Sequence, residues 1–78
     1  DYVKSDNAYE EALAFNPNNA SVLNNYSFYL AIRKQNLEKA EKMAELLIKN
    51  NPDEAAYLDT YAWVLYNREK YKEAKKIM

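Results

Sequence analysis

The sequence predicts an all-α fold, a right-handed superhelical stack of antiparallel helix hairpins, on three observations. Glycine is absent and proline occurs only at Pro17 and Pro52, so little in the chain resists helix formation. Each proline stands in an Asn-Pro pair, and the pairs lie 35 residues apart; the residue before proline is pushed out of the α region, which ends a helix. An apolar pattern with helical spacing recurs at that same distance, which is one helix face written twice.

The elements follow in order. Tyr2, Ser5, Tyr9 and Ala12 fall on one face of an opening helix. Asn16-Pro17-Asn18-Asn19 closes it, and an Asn just after the proline is placed to cap the next helix. That helix carries Leu23, Tyr26, Ser27 and Leu30 at i, i+3, i+4, i+7. A polar break, Lys34-Gln35-Asn36, leads to a helix with Leu37, Ala40, Met43, Ala44 and Leu47 inward. Asn50-Asn51-Pro52-Asp53 repeats the punctuation. Shifted by 35, Ala20, Leu23, Tyr26, Leu30 and Arg33 superpose on Ala55, Leu58, Tyr61, Leu65 and Arg68. The final helix, with Tyr71, Ala74, Ile77 and Met78, matches at a shift of 34, so the turn before it is one residue shorter. Residues 1–18 are thus the second helix of an incomplete unit, 19–52 a complete unit and 53–78 a third, truncated one. The chain opens on Asp1 and stops within a helical pattern, so both ends read as cut. Units of this size bury their apolar faces only by stacking.

Composition narrows function. With 49% hydrophobic and 29% charged residues and a net charge of −1, the 78-residue chain is globular rather than disordered. It has no Cys and no His, which removes disulfides, ordinary zinc sites and the Ser/His or Cys/His nucleophile pairs. Ser21, Ser27 and Thr60 lack a base partner, and no second carboxylate is placed to face Asp59, so no enzyme, cofactor or metal site is expected. Asn51, Asp53 and Glu54 are better read as helix-capping residues than as ligands. No apolar run is long enough for a membrane span. Charge alternates along the chain: residues 51–67 hold three acids and no base, while 33–50 and 68–78 are net basic with interleaved Glu. Interleaving marks a solvated helix face, not a nucleic-acid footprint.

The pattern Leu23, Tyr26-Ser27, Leu30, Ala40, Ala44, Leu47 and Pro52, with Leu58, Tyr61-Ala62 and Leu65 in register, resembles the tetratricopeptide repeat family over essentially the whole chain. The family's glycine on the first helix is replaced by the small residues Ser27 and Ala62, and its inter-helix glycine by Asn36 and Glu69, the latter at a conformational cost. Leu58-Asp59-Thr60-Tyr61-Ala62-Trp63-Val64-Leu65-Tyr66 is similar to a form found in bacterial members, which implies a bacterial origin, in the cell envelope rather than the cytoplasm.

The resemblance implies a protein–protein interaction scaffold holding a peptide or partner segment in a concave groove lined by first helices. Helical phase then turns Ser21, Asn24, Phe28, Ala31 and Ile32 toward the groove, with Ala56, Asp59, Trp63, Tyr66 and Asn67 from the next unit. Asn24/Phe28 and Asp59/Trp63 each set an aromatic anchor one turn from a short polar group, suited to an extended peptide. The other reading packs Phe28 and Trp63 between hairpins. Some members grip a C-terminal carboxylate with groove Lys and Asn; here Asn24 and Asn25 have no Lys on the matching faces. The alternative function is a structural segment forming homo-oligomers through exposed repeat ends, with Leu13, Phe15, Tyr71 and Ile77 as the contact residues.

Overall fold

The computed structural model describes residues 2–77; Asp1 and Met78 lie outside the described residues, as do the side chains of Tyr2 and Val3. Five helices follow one another: α1 (Tyr2–Phe15), α2 (Ala20–Arg33), α3 (Leu37–Asn50), α4 (Ala55–Asn67) and α5 (Tyr71–Ile77). Each packs on the next, and α2 also packs on α4, whereas the backbones of α1, α3 and α5 stay apart from one another among the described residues. The two first helices therefore form an inner layer and the three second helices an outer one.

Both proline turns are built alike. The Asn19 amide donates to the Asn16 carbonyl at 3.2 Å and the Glu54 amide to the Asn51 carbonyl at 3.4 Å, with proline at the second turn position, where its fixed φ fits. The cap falls one residue later than expected. Asn19, not Asn18, accepts the Val22 amide at 3.2 Å. Its counterpart Glu54 is extended like Asn19 but makes no side-chain cap bond, and Asp53 is not at the cap position. A Glu side chain is one methylene too long for the local geometry that Asn and Asp satisfy.

The opposite turns are a matched pair as well. At the end of α2 the Gln35 amide reaches the Leu30 carbonyl at 3.1 Å and the Lys34 amide the Ala31 carbonyl at 3.1 Å; at the end of α4, Lys70 reaches Leu65 at 2.9 Å and Glu69 reaches Tyr66 at 3.0 Å. This 6→1, 5→2 pairing closes a helix through a left-handed residue, usually glycine. Here those residues are Lys34 (φ 53°) and Glu69 (φ 62°). The glycine substitute of the first turn is thus Lys34. Asn36, also left-handed at φ 48°, is an extra residue between the closing residue and the next helix: two residues separate Lys34 from α3, and one separates Glu69 from α5.

The core joins Leu23, Tyr26, Leu30 and Ala31 of α2 to Ala40, Met43, Ala44 and Leu47 of α3 and Val64 of α4, with Tyr9, Leu13, Tyr57 and Tyr61 packed against it. Ser27 is fully buried, and its hydroxyl donates to the Leu23 carbonyl at 2.6 Å. Its small size lets the helices approach closely, and the local bond removes the cost of burying a hydroxyl.

Ion pairs tie successive hairpins together. Arg33 donates to both Asp6 oxygens at 3.0 Å. At the same chain separation Arg68 donates to Glu41 at 3.1 Å, and Lys70 joins it at 3.0 Å. Each pair runs from a second helix to the C-terminal end of the following first helix. Burial works against the charge on Glu41, but the Lys70 hydrogen bond and the positive charges of Lys70 and Arg68 outweigh it and hold its carboxyl below the usual range. Glu10 links three helices: it accepts from Tyr26 at 2.8 Å and pairs with Lys39, which also lies 5.5 Å above the Tyr26 ring.

Candidate functional site

Phe28 on α2 and Trp63 on α4 occupy equivalent positions, and the side-by-side packing of those helices brings their rings to 6.4 Å. Both remain partly open, 38% and 39% exposed, so they are neither sealed between hairpins nor free of contact. The ring row continues in both directions. Trp63 stacks on Tyr66 at 6.0 Å, and Tyr66 meets Tyr71 edge-on at 5.2 Å. On the other side Phe28 meets Tyr29 at 6.1 Å, and Tyr29 stacks on Tyr9 at 6.3 Å. Tyr29, Ile32, Tyr66 and Tyr71 are each about half exposed. A contiguous aromatic strip thus crosses the inner layer from α1 to α5, an unusual exposure for so small a fold.

The expected polar partners are placed differently from one another. Asn24 is half-buried, and its side-chain oxygen accepts from the buried Thr60 hydroxyl at 2.6 Å, pinning α2 to α4. Asn67 turns its amide back onto the Trp63 carbonyl at 2.8 Å. Asp59 is exposed and makes no ion pair among the described residues; with Ala62, Trp63 and Tyr66 it lines a cavity of about 460 Å³.

Two expectations need correcting. Ala31 does not face a groove: it is fully buried in the core, because the inner face of α2 that it shares with Leu30 is covered. Leu13 is not an open repeat end, since it packs partly buried against the core cluster. Phe15, by contrast, is 93% exposed. Tyr29 was missing from the expected groove. Its repeat counterpart Val64 is fully buried, so the repeat gives no signal that position 29 is open. Thr60 and the Asp6–Arg33 and Glu41–Arg68 pairs were missed too, although the shift of 35 that aligns the arginines also aligns Asp6 with Glu41.

Among the described residues no three His, Cys, Asp or Glu side chains gather into a metal site, and no helix is long and apolar enough to cross a membrane. The Asn51 amide donates to the Leu47 carbonyl at 3.0 Å, which spends it on ending α3.

The tetratricopeptide repeat family model matches residues 8–42, one full period running from mid-α1 through α2 into α3. No curated protein and no solved structure matches the chain significantly. Proteins of that family are typically non-catalytic scaffolds for protein–protein interaction. The matched period, the helical hairpins packed helix to helix and the turns repeated at its spacing support a tetratricopeptide repeat assignment for this chain.

Proposed function

We propose that the chain is a protein-interaction scaffold that holds an extended segment of a partner across the inner face of α2 and α4, without catalysis. The observation that carries this reading is the exposed aromatic strip centred on the Phe28–Trp63 contact. Rings exposed in contact with one another present a stiff apolar surface that loses little side-chain entropy when covered, the property of binding hot spots. In this reading Phe28 and Trp63 are the anchors, Ile32, Tyr66 and Asn67 flank them, and Asp59 and the open amide of Asn24 meet the polar groups of the segment.

The test is selection of a random peptide library on the purified protein, followed by titration of enriched peptides against a Phe28→Ala, Trp63→Ala variant. Affinity should fall by more than about 2 kcal/mol with the helical circular dichroism unchanged. Enriched peptides that bind the variant equally well, or no enrichment at all, refute it.

A second reading is favoured by Phe15, whose ring stands almost wholly in solvent: the segment self-associates through its open ends. Sedimentation across a wide concentration range decides it. A mass that rises with concentration and returns to monomer with Phe15→Glu and Tyr71→Glu supports this reading; a monomer throughout removes it.

A further inference from the structure

We propose that the recess formed by Asp59, Trp63 and Tyr66 is a cation site, which receives a lysine or arginine side chain of the bound segment. The proposal rests on the peptide-binding reading of the inner face and names the chemistry of its occupant.

Asp59, Ala62 and Tyr66 stand where α2 has Asn24, Ser27 and Ala31. On α2 those positions meet other helices: Ser27 and Ala31 are fully buried, and Asn24 accepts the Thr60 hydroxyl of α4. On α4 two of the three residues differ in size or charge from their α2 counterparts. Tyr66 puts a half-exposed ring where α2 has the buried methyl group of Ala31. Asp59 puts a carboxylate where α2 has an amide. A carboxylate only accepts hydrogen bonds and favours a positive donor.

The occupant must therefore bring positive charge and lie against aromatic faces. An ammonium or guanidinium does both: it pairs with the carboxylate and is attracted by the negative faces of the indole and phenol. Trp63 and Tyr66 are nearly parallel, 11° between planes, and border the cavity of about 460 Å³ together with Asp59, room for one long side chain. The segment that carries the recess adds no basic group of its own, since residues 51–67 contribute Asp53, Glu54 and Asp59 and no Lys or Arg, while Lys34 and Arg68 stand on another side of Tyr66.

Trp63 is the only tryptophan, so its emission reads the site directly. The probes are a capped Ala-Lys-Ala-Arg-Ala peptide and its counterpart with norleucine at both basic positions. The basic peptide is expected to shift Trp63 emission with a Kd about tenfold or more below that of the norleucine peptide, a preference that shrinks at high salt. Asp59→Asn should abolish the preference with helicity intact, whereas Asp53→Asn, which removes the same charge elsewhere, should keep it. Equal response to both peptides, or a preference that survives Asp59→Asn, overturns the cation site but leaves the peptide surface standing. Silence toward both overturns it too, and the library selection then decides the peptide surface by itself. Emission that changes with protein concentration alone, showing a second copy in the recess, also overturns it.

Discussion

Glu41 ties the second hairpin to the third through two ion pairs on one side chain. Its side chain is only 11% exposed and holds both Arg68 and Lys70. Replacing it with Gln leaves two cations facing a neutral amide across a half-buried seam, and breaking such a pair costs more than making it gains. Glu41→Gln is expected to destabilise the fold by about 2 kcal/mol, whereas Lys42→Ala, which removes the exposed Glu38–Lys42 pair, should change stability by less than about 0.5 kcal/mol. Urea unfolding of the two variants checks the contrast, and equal effects contradict it. At this scale the sequence is legible in part. Phase and spacing identify Phe28 and Trp63 as an equivalent aromatic pair. They do not show that Asn24 is half spent on Thr60, because that bond joins residues 36 apart and depends on how close α2 lies to α4.

The helix ends differ in quality where the sequence breaks its own repeat. The Asn-Pro turns and helix limits are legible because proline acts locally, through its own ring and the residue before it. The shift of 35 also foretells a left-handed residue at Glu69. Its match is Lys34, 35 residues earlier, and not Asn36 as the family's inter-helix glycine suggests, since chain length alone does not say on which side of the closing residue the extra residue falls. Two gains follow. Glu54→Asn gives α4 the side-chain cap that Asn19 gives α2 and should stabilise by about 1 kcal/mol, read as a rise in Tm of about 4–8 °C. Glu69→Gly relieves a left-handed non-glycine residue and should add a similar amount. Asn19→Ala should lose what Glu54→Asn gains. If Glu54→Asn leaves Tm unchanged, the cap is not what distinguishes the two helix starts.

The whole molecule inherits its pH response from contacts between hairpins. With no His and no Cys, few side chains titrate near neutrality, so stability should be flat there and fall at both extremes. On the acid side the Lys39 hydrogen bond, with that of Tyr26, holds Glu10 below the usual carboxylate range, and Lys70 and Arg68 do the same for Glu41 against its burial. A carboxyl lowered on folding stabilises fully above its unfolded value, about 4.3, and that contribution is lost as pH falls through the folded value. On the alkaline side burial raises the hydroxyls of Tyr9, Tyr26 and Tyr61, and at Tyr26 the Glu10 hydrogen bond and charge add to it. A hydroxyl raised on folding stabilises fully below its unfolded value near 10, and the contribution is lost as pH rises toward the folded value. Tyr26 is the most constrained of the three because its hydroxyl donates to Glu10 while its ring sits in the core. Tyr26→Phe removes that hydrogen bond and should lower stability at pH 7 by about 1 kcal/mol. It also removes one titrating group, so above pH 10 its stability should fall less steeply than that of the parent, by up to about 1.4 kcal/mol per pH unit, and the two curves should converge. Thermal melts from pH 7 to 11 measure this directly. Parallel curves would mean that Tyr26 ionises alike in the folded and unfolded chain, and that the link from α1 through Glu10 to α2 does not hold the hydroxyl.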